Sequence, residues 1–294
     1  MTMQATDRDF NAATLAEGEG IAVPATSRSA WRRRLARGGP TLGLALWSAG
    51  VLAFLYLPIA VLIAFSFNDN RSLVLPFRGF TLEWYERMFA NEALLEALGN
   101  SLYVASLSTA LTILVGVPAA LALDRIEFPG KTLFRRLVLL PIALPGVVTG
   151  IALLNAFNAA GIGLSLETVI LGHATALLAV VVTQVYARLQ RLNRSWAEAS
   201  ADLGATPVQT FFRVTLPNIR SAILGSALLS FTLSFDEIPV TFFLTGRDNT
   251  LPMYIWSTMR RGITPEINAV ATLVVLASLV LIVASVALLR DEGR

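Results

Sequence analysis

Asp236 and Glu237 stand side by side in Ser221–Leu244, a stretch otherwise built of apolar and small polar residues. A charge held in hydrocarbon costs at least about 2.5 kcal/mol, so such residues face a cavity or a partner. Two chemistries fit the pair. One is a cation-attracting site, with Phe231, Phe235, Phe242 and Phe243 near enough to add cation–π attraction. The other is an ion pair with a basic residue of this chain or of another subunit. Adjacent helical residues point in different directions, so one carboxylate can line a path while the other packs. Pro239, three residues past Asp236, loosens a helix there. His173, the single histidine, is either a proton relay or a packed, hydrogen-bonded side chain. Gly130-Lys131-Thr132 echoes the end of a phosphate-binding loop, but Arg125 stands where that loop needs its first glycine. The absence of cysteine removes disulfides and thiolate sites, and no H-E-x-x-H pattern or nucleophile elbow is present.

The elements that position these residues are apolar helices. Hydrophobic residues make up 55% of the 294 residues and charged ones 15%, whereas a soluble domain carries about 25% charge. Six stretches approach the ~20 residues that cross hydrocarbon as a helix: Leu42–Phe67, Ser101–Leu123, Leu137–Phe157, Leu166–Ala187, Ser221–Leu244 and Ile267–Leu289. Gly146 and Gly150 form a close-packing pair in the third. Residues 1–41 read as a disordered, basic N-terminus whose Arg28, Arg32, Arg33, Arg34 and Arg37 lie next to the first span.

Basic residues orient the spans. With the N-terminus inside, 17 of the 23 lysines and arginines fall in cytoplasmic segments, which puts both termini in the cytoplasm. Two loops are long. Residues 68–100 face outward, and Trp84, Tyr85 and Met88, followed by Leu94, Leu95 and Leu98, read as short amphipathic helices at the membrane interface. Their apolar face serves either membrane anchoring or a partner.

The loop at residues 188–220 faces the cytoplasm. Ser195 suits the cap of a helix that ends at Gly204 in the left-handed conformation. Thr206 before Pro207 is a helix start. A short helix over 207–214 then displays Val208, Phe211 and Phe212, and Pro217 ends it before the fifth span. An apolar helix outside the membrane needs a cover, either a groove on a partner or the chain's own helix ends.

Glu198-Ala199-Ser200, three residues, Gly204, nine residues, Val214, one residue and Leu216-Pro217 resemble the EAA loop of ABC importer permeases. Ser200 replaces the pattern's second alanine and Val214 its isoleucine. The resemblance covers residues 96–289, with 42–67 as an additional first helix. It implies an all-α polytopic membrane protein with six transmembrane helices, a five-helix type I (MetI-like) core plus an N-terminal helix. Glu198, Ala199, Gly204, Ala205, Thr206, Pro207, Val208, Phe211, Phe212, Leu216 and Pro217 would then be the coupling loop, with Glu198 holding its fold. Asn100-Ser101, Leu233–Glu237 and Gly262–Ala269 are further similar to the second permease of spermidine/putrescine importers. Relatives for opines, phosphonates and ferric ion are similar in places. Asp236, Glu237 and Phe235 become expected substrate-path residues.

The resemblance implies a non-catalytic permease of the bacterial inner membrane that binds no cofactor itself. Its partners would be a cytoplasmic ABC ATPase dimer that uses ATP and magnesium, a second permease, a periplasmic substrate-binding protein and membrane lipid; no nucleic acid is expected. The rival class is a proton-coupled secondary transporter using Asp236, Glu237 and His173; an inverted internal repeat would favour it, and none is visible.

Overall fold

A computed structural model describes residues 40–70, 77, 79–193, 195–260, 262 and 264–291, with only the helical backbone for Pro40, Thr41 and 281–291. The expected basic tail, with Arg28 to Arg37, lies outside the described residues apart from its last two. Among the described residues the architecture is helical, with one isolated antiparallel bridge between Asn68 and Phe80. The helices are α1 Pro40–Phe65, α2 Glu83–Ala90, α3 Glu92–Arg125, α4 Lys131–Ala143, α5 Gly146–Ala159, α6 Leu166–Leu189, α7 Ser195–Asp202, α8 Pro207–Thr210, α9 Leu216–Phe235, α10 Pro239–Leu244, α11 Leu251–Met259 and α12 Pro265–Asp291. The chain divides into two units, Met1–Ala60 and Val61–Arg294. Most of α1 falls in the first, and the helix is apolar, with mean hydropathy 2.3 for Leu42–Phe65.

By length and composition, four continuous segments among the described residues can cross a membrane: Leu42–Phe65, Glu92–Arg125, Leu166–Leu189 and Pro207–Phe235. The pair α4 and α5 makes a fifth if counted as one span, and Pro265–Val280 is a shorter apolar helix. The expected third span, Leu137–Phe157, is therefore not one straight helix. It bends by 111° between α4 and α5. The cause is local: a residue before proline is pushed out of the helical region, and Leu144 is extended at φ −90, ψ 140 ahead of Pro145.

The second span also begins earlier than expected. Asn91 accepts the Leu94 N–H on its side-chain oxygen at 3.1 Å and starts α3 at Glu92. Leu94 and Leu98 thus belong to the span itself. Trp84 and Met88, expected at the membrane interface, are buried against Leu94, Leu251, Ala269 and Val270. The Trp84 indole N–H donates to the Asn68 carbonyl at 2.8 Å, which gives its one polar atom a partner inside the chain.

The centre of the second unit is α3, α6 and α9. Lipid is as apolar as leucine, so burial alone does not hold such helices together, and close packing of small residues must contribute. A Cβ on Gly116 of α3 would lie 2.9 Å from Val181 of α6. On Gly150 of α5 it would meet Phe243 at 2.7 Å, and on Gly172 of α6 it would meet Leu244 at 2.5 Å. The glycines of α5 and α6 therefore admit α10, which is how the expected Gly146–Gly150 pair is used. Two apolar clusters result. One joins Val117, Leu123, Val181, Val185 and Ile219, and the other joins Val104, Val169, Ile170, Val240 and Leu244. Between their positions along α3 and α6 the buried residues include the polar Ser108, Thr109, Thr112 and His173 among apolar neighbours such as Ala105, Ala174 and Leu177.

Candidate functional site

Helix α7 begins at Ser195, whose N–H is taken by the Asn193 side chain at 3.1 Å; asparagine, not the expected Ser195, supplies the oxygen. The helix closes in a Schellman turn, with Ala205 N–H on the Ser200 carbonyl at 3.1 Å and Gly204 N–H on the Ala201 carbonyl at 2.8 Å. That closure needs a left-handed residue, and Gly204 has φ +82. Thr206 then starts α8 with a reciprocal capping box. Its hydroxyl accepts the Gln209 N–H at 3.3 Å, and its own N–H donates to Gln209 Oε1 at 2.9 Å. Pro207 occupies the first turn, where its missing N–H has no helical partner to lose.

Helices α7 and α8 are tied by the Ser200 and Thr210 hydroxyls, 3.0 Å apart. Ser200 is one of the two departures from the EAA pattern. Glu198, expected to hold the loop, is exposed, and no hydrogen bond or ion pair among the described residues involves it. The bonds seen within the loop are those of the two turns and the hydroxyl pair. Ala199, like Glu198, is exposed, and Ala205 is half-buried.

The loop leaves a run of apolar surface bare. Leu203, Val208, Phe212 and Trp196 are 89%, 65%, 60% and 50% exposed. Phe211, expected beside them, is half-buried and stands edge-on to Phe212 with ring centres 5.0 Å apart. Nor does Pro217 end the segment. A π turn over Phe211–Thr215, in which Leu216 N–H bonds the Phe211 carbonyl, passes directly into α9. The proline sits in the first turn of α9, where a missing N–H is tolerated. Two arginines pin this turn to neighbouring helices. Arg125, at the end of α3, donates to Thr215 Oγ1 at 2.6 Å, and Arg188, at the end of α6, donates to the Asn218 carbonyl at 3.0 Å. In the sequence these arginines signalled only orientation; their position in the last turn of a helix, where cations are favoured, was the available clue.

The carboxylate pair lies where the expected fifth span breaks. Helix α9 stops at Phe235, and α10 restarts at Pro239. Asp236 is exposed, while Glu237 is half-buried and accepts the Val240 N–H at 2.9 Å, so it caps the restarted helix. No ion pair among the described residues involves either carboxylate. Phe235 packs on the Trp84 and Leu94 cluster and stacks on Phe231 with centroids 6.2 Å apart; Phe242 is exposed, and Phe243 packs on Gly150. His173 is buried and hydrogen-bonded, with Nδ1 2.8 Å from Ser234 Oγ and Nε2 2.9 Å from Thr241 Oγ1.

The profile of the family described as "binding-protein-dependent transport system inner membrane component" matches residues 112–290, a segment that contains the loop and the broken span. The chain belongs to this family. Among relatives of the permease, the spermidine/putrescine transport system permease protein PotC of Escherichia coli (strain K12) is 36% identical over 262 residues, which is 89% of this chain and 96% of that one. The putrescine transport system permease protein PotI of the same strain is 38% identical over 229 residues, covering 75% and 81% of the two chains. In fold the permease is similar to a bacterial ABC transporter involved in the import of the acidic polysaccharide alginate, with TM-score 0.65 at 15% identity over 91% of this chain and 99% of that one. It is also similar to the inward-facing MetNI methionine ABC transporter, with TM-score 0.55 at 17% identity over 70% and 96%.

Proposed function

We propose that this permease imports a polyamine or a related organic cation. The observation that carries the reading is the 36% identity to a spermidine/putrescine permease across nearly the whole of both chains. The exposed carboxylate of Asp236 at the break between α9 and α10 supports it, because a multiply charged ammonium chain compensates a carboxylate at membrane depth while in transit. Glu237 is occupied in capping α10, and Phe235 is half-covered by its own chain, so Asp236 is the principal attracting group.

Energy comes from outside the chain. A cytoplasmic ATPase dimer uses ATP and magnesium, and this subunit binds no cofactor. Leu203, Val208 and Phe212 enter a groove of the ATPase, and closure of the ATPase dimer pulls on α7 and α8. Arg125 and Arg188 pass that pull to α3 and α6 through the π turn. A second permease completes the path, and a periplasmic binding protein delivers cargo. Both termini and residues 188–220 face the cytoplasm.

The test is reconstitution with a candidate ATPase, second permease and periplasmic binding protein from the same cell. ATP-dependent uptake of labelled putrescine or spermidine is expected, and purified permease alone is expected to hydrolyse no ATP. Uptake of an opine, a phosphonate or ferric ion in place of polyamines would refute the cargo. Uptake that persists without the ATPase would refute the mechanism.

A further inference from the structure

His173 is the hub of a hydrogen-bond chain that crosses four helices. Ser108 of α3, His173 of α6, Ser234 of α9 and Thr241 of α10 are all at most 4% exposed. The links are Ser108 Oγ to Ser234 Oγ at 2.9 Å, Ser234 Oγ to His173 Nδ1 at 2.8 Å, His173 Nε2 to Thr241 Oγ1 at 2.9 Å, and Thr241 Oγ1 to the Glu237 carbonyl at 2.9 Å. Proton accounting gives the chain a direction. Thr241 has one hydroxyl proton, and a carbonyl can only accept it. The Thr241 oxygen therefore accepts from His173, which puts the imidazole hydrogen on Nε2. In the neutral ring Nδ1 then accepts from Ser234, and the Ser108 proton is shared between Ser234 and the Val104 carbonyl at 2.6 Å.

The two imidazole nitrogens bond opposite sides of the same break. Ser234 is in the last turn of α9 and Thr241 in the first turn of α10, with Asp236–Ile238 between them. Helix α10 has six residues, too few to hold its form unaided. It is held by the Glu237 cap, by the close approach at Gly172 and by His173. Gly172 and His173 are consecutive: the glycine lets Val240 and Leu244 come near, and the histidine bonds Thr241 between them.

We propose that His173 is a positioning residue for transport, which staples both halves of the broken fifth span to α6 so that the Asp236–Ile238 break moves with α6 as one body. The inference rests on the permease fold and not on the cargo. The chain has no cysteine, so a single cysteine at Ile238 reports the break directly. Its labelling rate with a cationic methanethiosulfonate reagent is measured in membranes holding the whole complex. Thr241→Val and His173→Leu are expected to raise the rate on the order of tenfold, about the worth of one or two buried hydrogen bonds.

Asparagine at 173 places a polar atom near the Nδ1 position and glutamine near the Nε2 position, so the first is expected to keep the bond to Ser234 and the second the bond to Thr241. Thr241→Val should therefore add less to His173→Asn, where only its bond to the Glu237 carbonyl remains to be lost, than to His173→Gln, a pattern that packing alone does not produce. Transport turnover should fall in the same order. Unchanged labelling in Thr241→Val and His173→Leu, equal additivity on every background, or unchanged turnover overturns the proposal. So does loss of the protein from the membrane in Thr241→Val, the mildest variant. Absence of polyamine uptake by the unaltered complex would instead count against the cargo, and the labelling pattern would still decide the role of His173.

Discussion

Replacing Asp236 by asparagine separates attraction of cargo from stability of the fold. The side chain is exposed, and no hydrogen bond or ion pair among the described residues involves it. The substitution preserves shape, so its effect on stability should stay within about 0.5 kcal/mol. The effect on a passing ammonium group is larger. Two unit charges 4 Å apart attract by about 1 kcal/mol in water and about 4 kcal/mol at an effective dielectric of ~20. An exposed carboxylate in a wet path belongs toward the lower end, about 1–2 kcal/mol, which is a factor of roughly 5–30. The assay is initial polyamine uptake by the reconstituted complex against cargo concentration, with complex yield and basal ATPase rate taken from the same preparations. Asp236→Asn should lower uptake efficiency 5–30-fold, less at high salt because screening weakens the pair in both proteins, and leave yield and ATPase rate unchanged. Glu237 should behave differently. Glu237→Gln keeps an acceptor for the Val240 N–H, while Glu237→Ala removes the cap and costs about 1 kcal/mol in stability. Wild-type uptake by Asp236→Asn, or collapse of its complex, would refute the reasoning.

At Gly204 a Cβ meets nothing within 4 Å, so Gly204→Val acts through its left-handed backbone at a cost of about 1–2 kcal/mol; the ATPase recovered with the purified permease should fall, and the melting temperature of the isolated permease should drop by no more than a few degrees. Gly150→Leu is the opposite case. Its Cβ lies 2.7 Å from Phe243, so overpacking of about 1–3 kcal/mol should lower the melting temperature directly. For orientation, cysteines placed one at a time at Leu82 and Val208, both exposed, should react differently with an impermeant thiol reagent added outside; labelling at 208 but not at 82 would invert the assigned topology.

The features legible in the sequence are those whose causes lie within a few residues. Gly204, Thr206 and Pro207 announce a turn and a helix start, and the bonds that make them reach no farther than Gln209. The apolar face of Trp84 and Met88 was legible as a face, but periodicity does not say what covers it; the cover is Leu251, Ala269 and Val270, more than 160 residues away. His173 was likewise visible as a buried polar residue, yet its partners Ser234 and Thr241 are 61 and 68 residues distant. The broken spans escaped for another reason. Hydropathy averages over a window, and a helix that stops and restarts within it has the same average as a straight one. Prolines mark where a stop is cheap, but Pro118 lies inside an unbroken α3, whereas Pro145 and Pro239 open new helices. The difference lies in what the neighbours offer. At Pro239 they offer Glu237 as a cap, Gly150 and Gly172 as a cradle, and His173 as a bond on either side. The exposed charge and the break therefore have one origin: a helix restarted there needs an acceptor for its first N–H groups, Glu237 supplies it, and Asp236 is left exposed at the open end of α9.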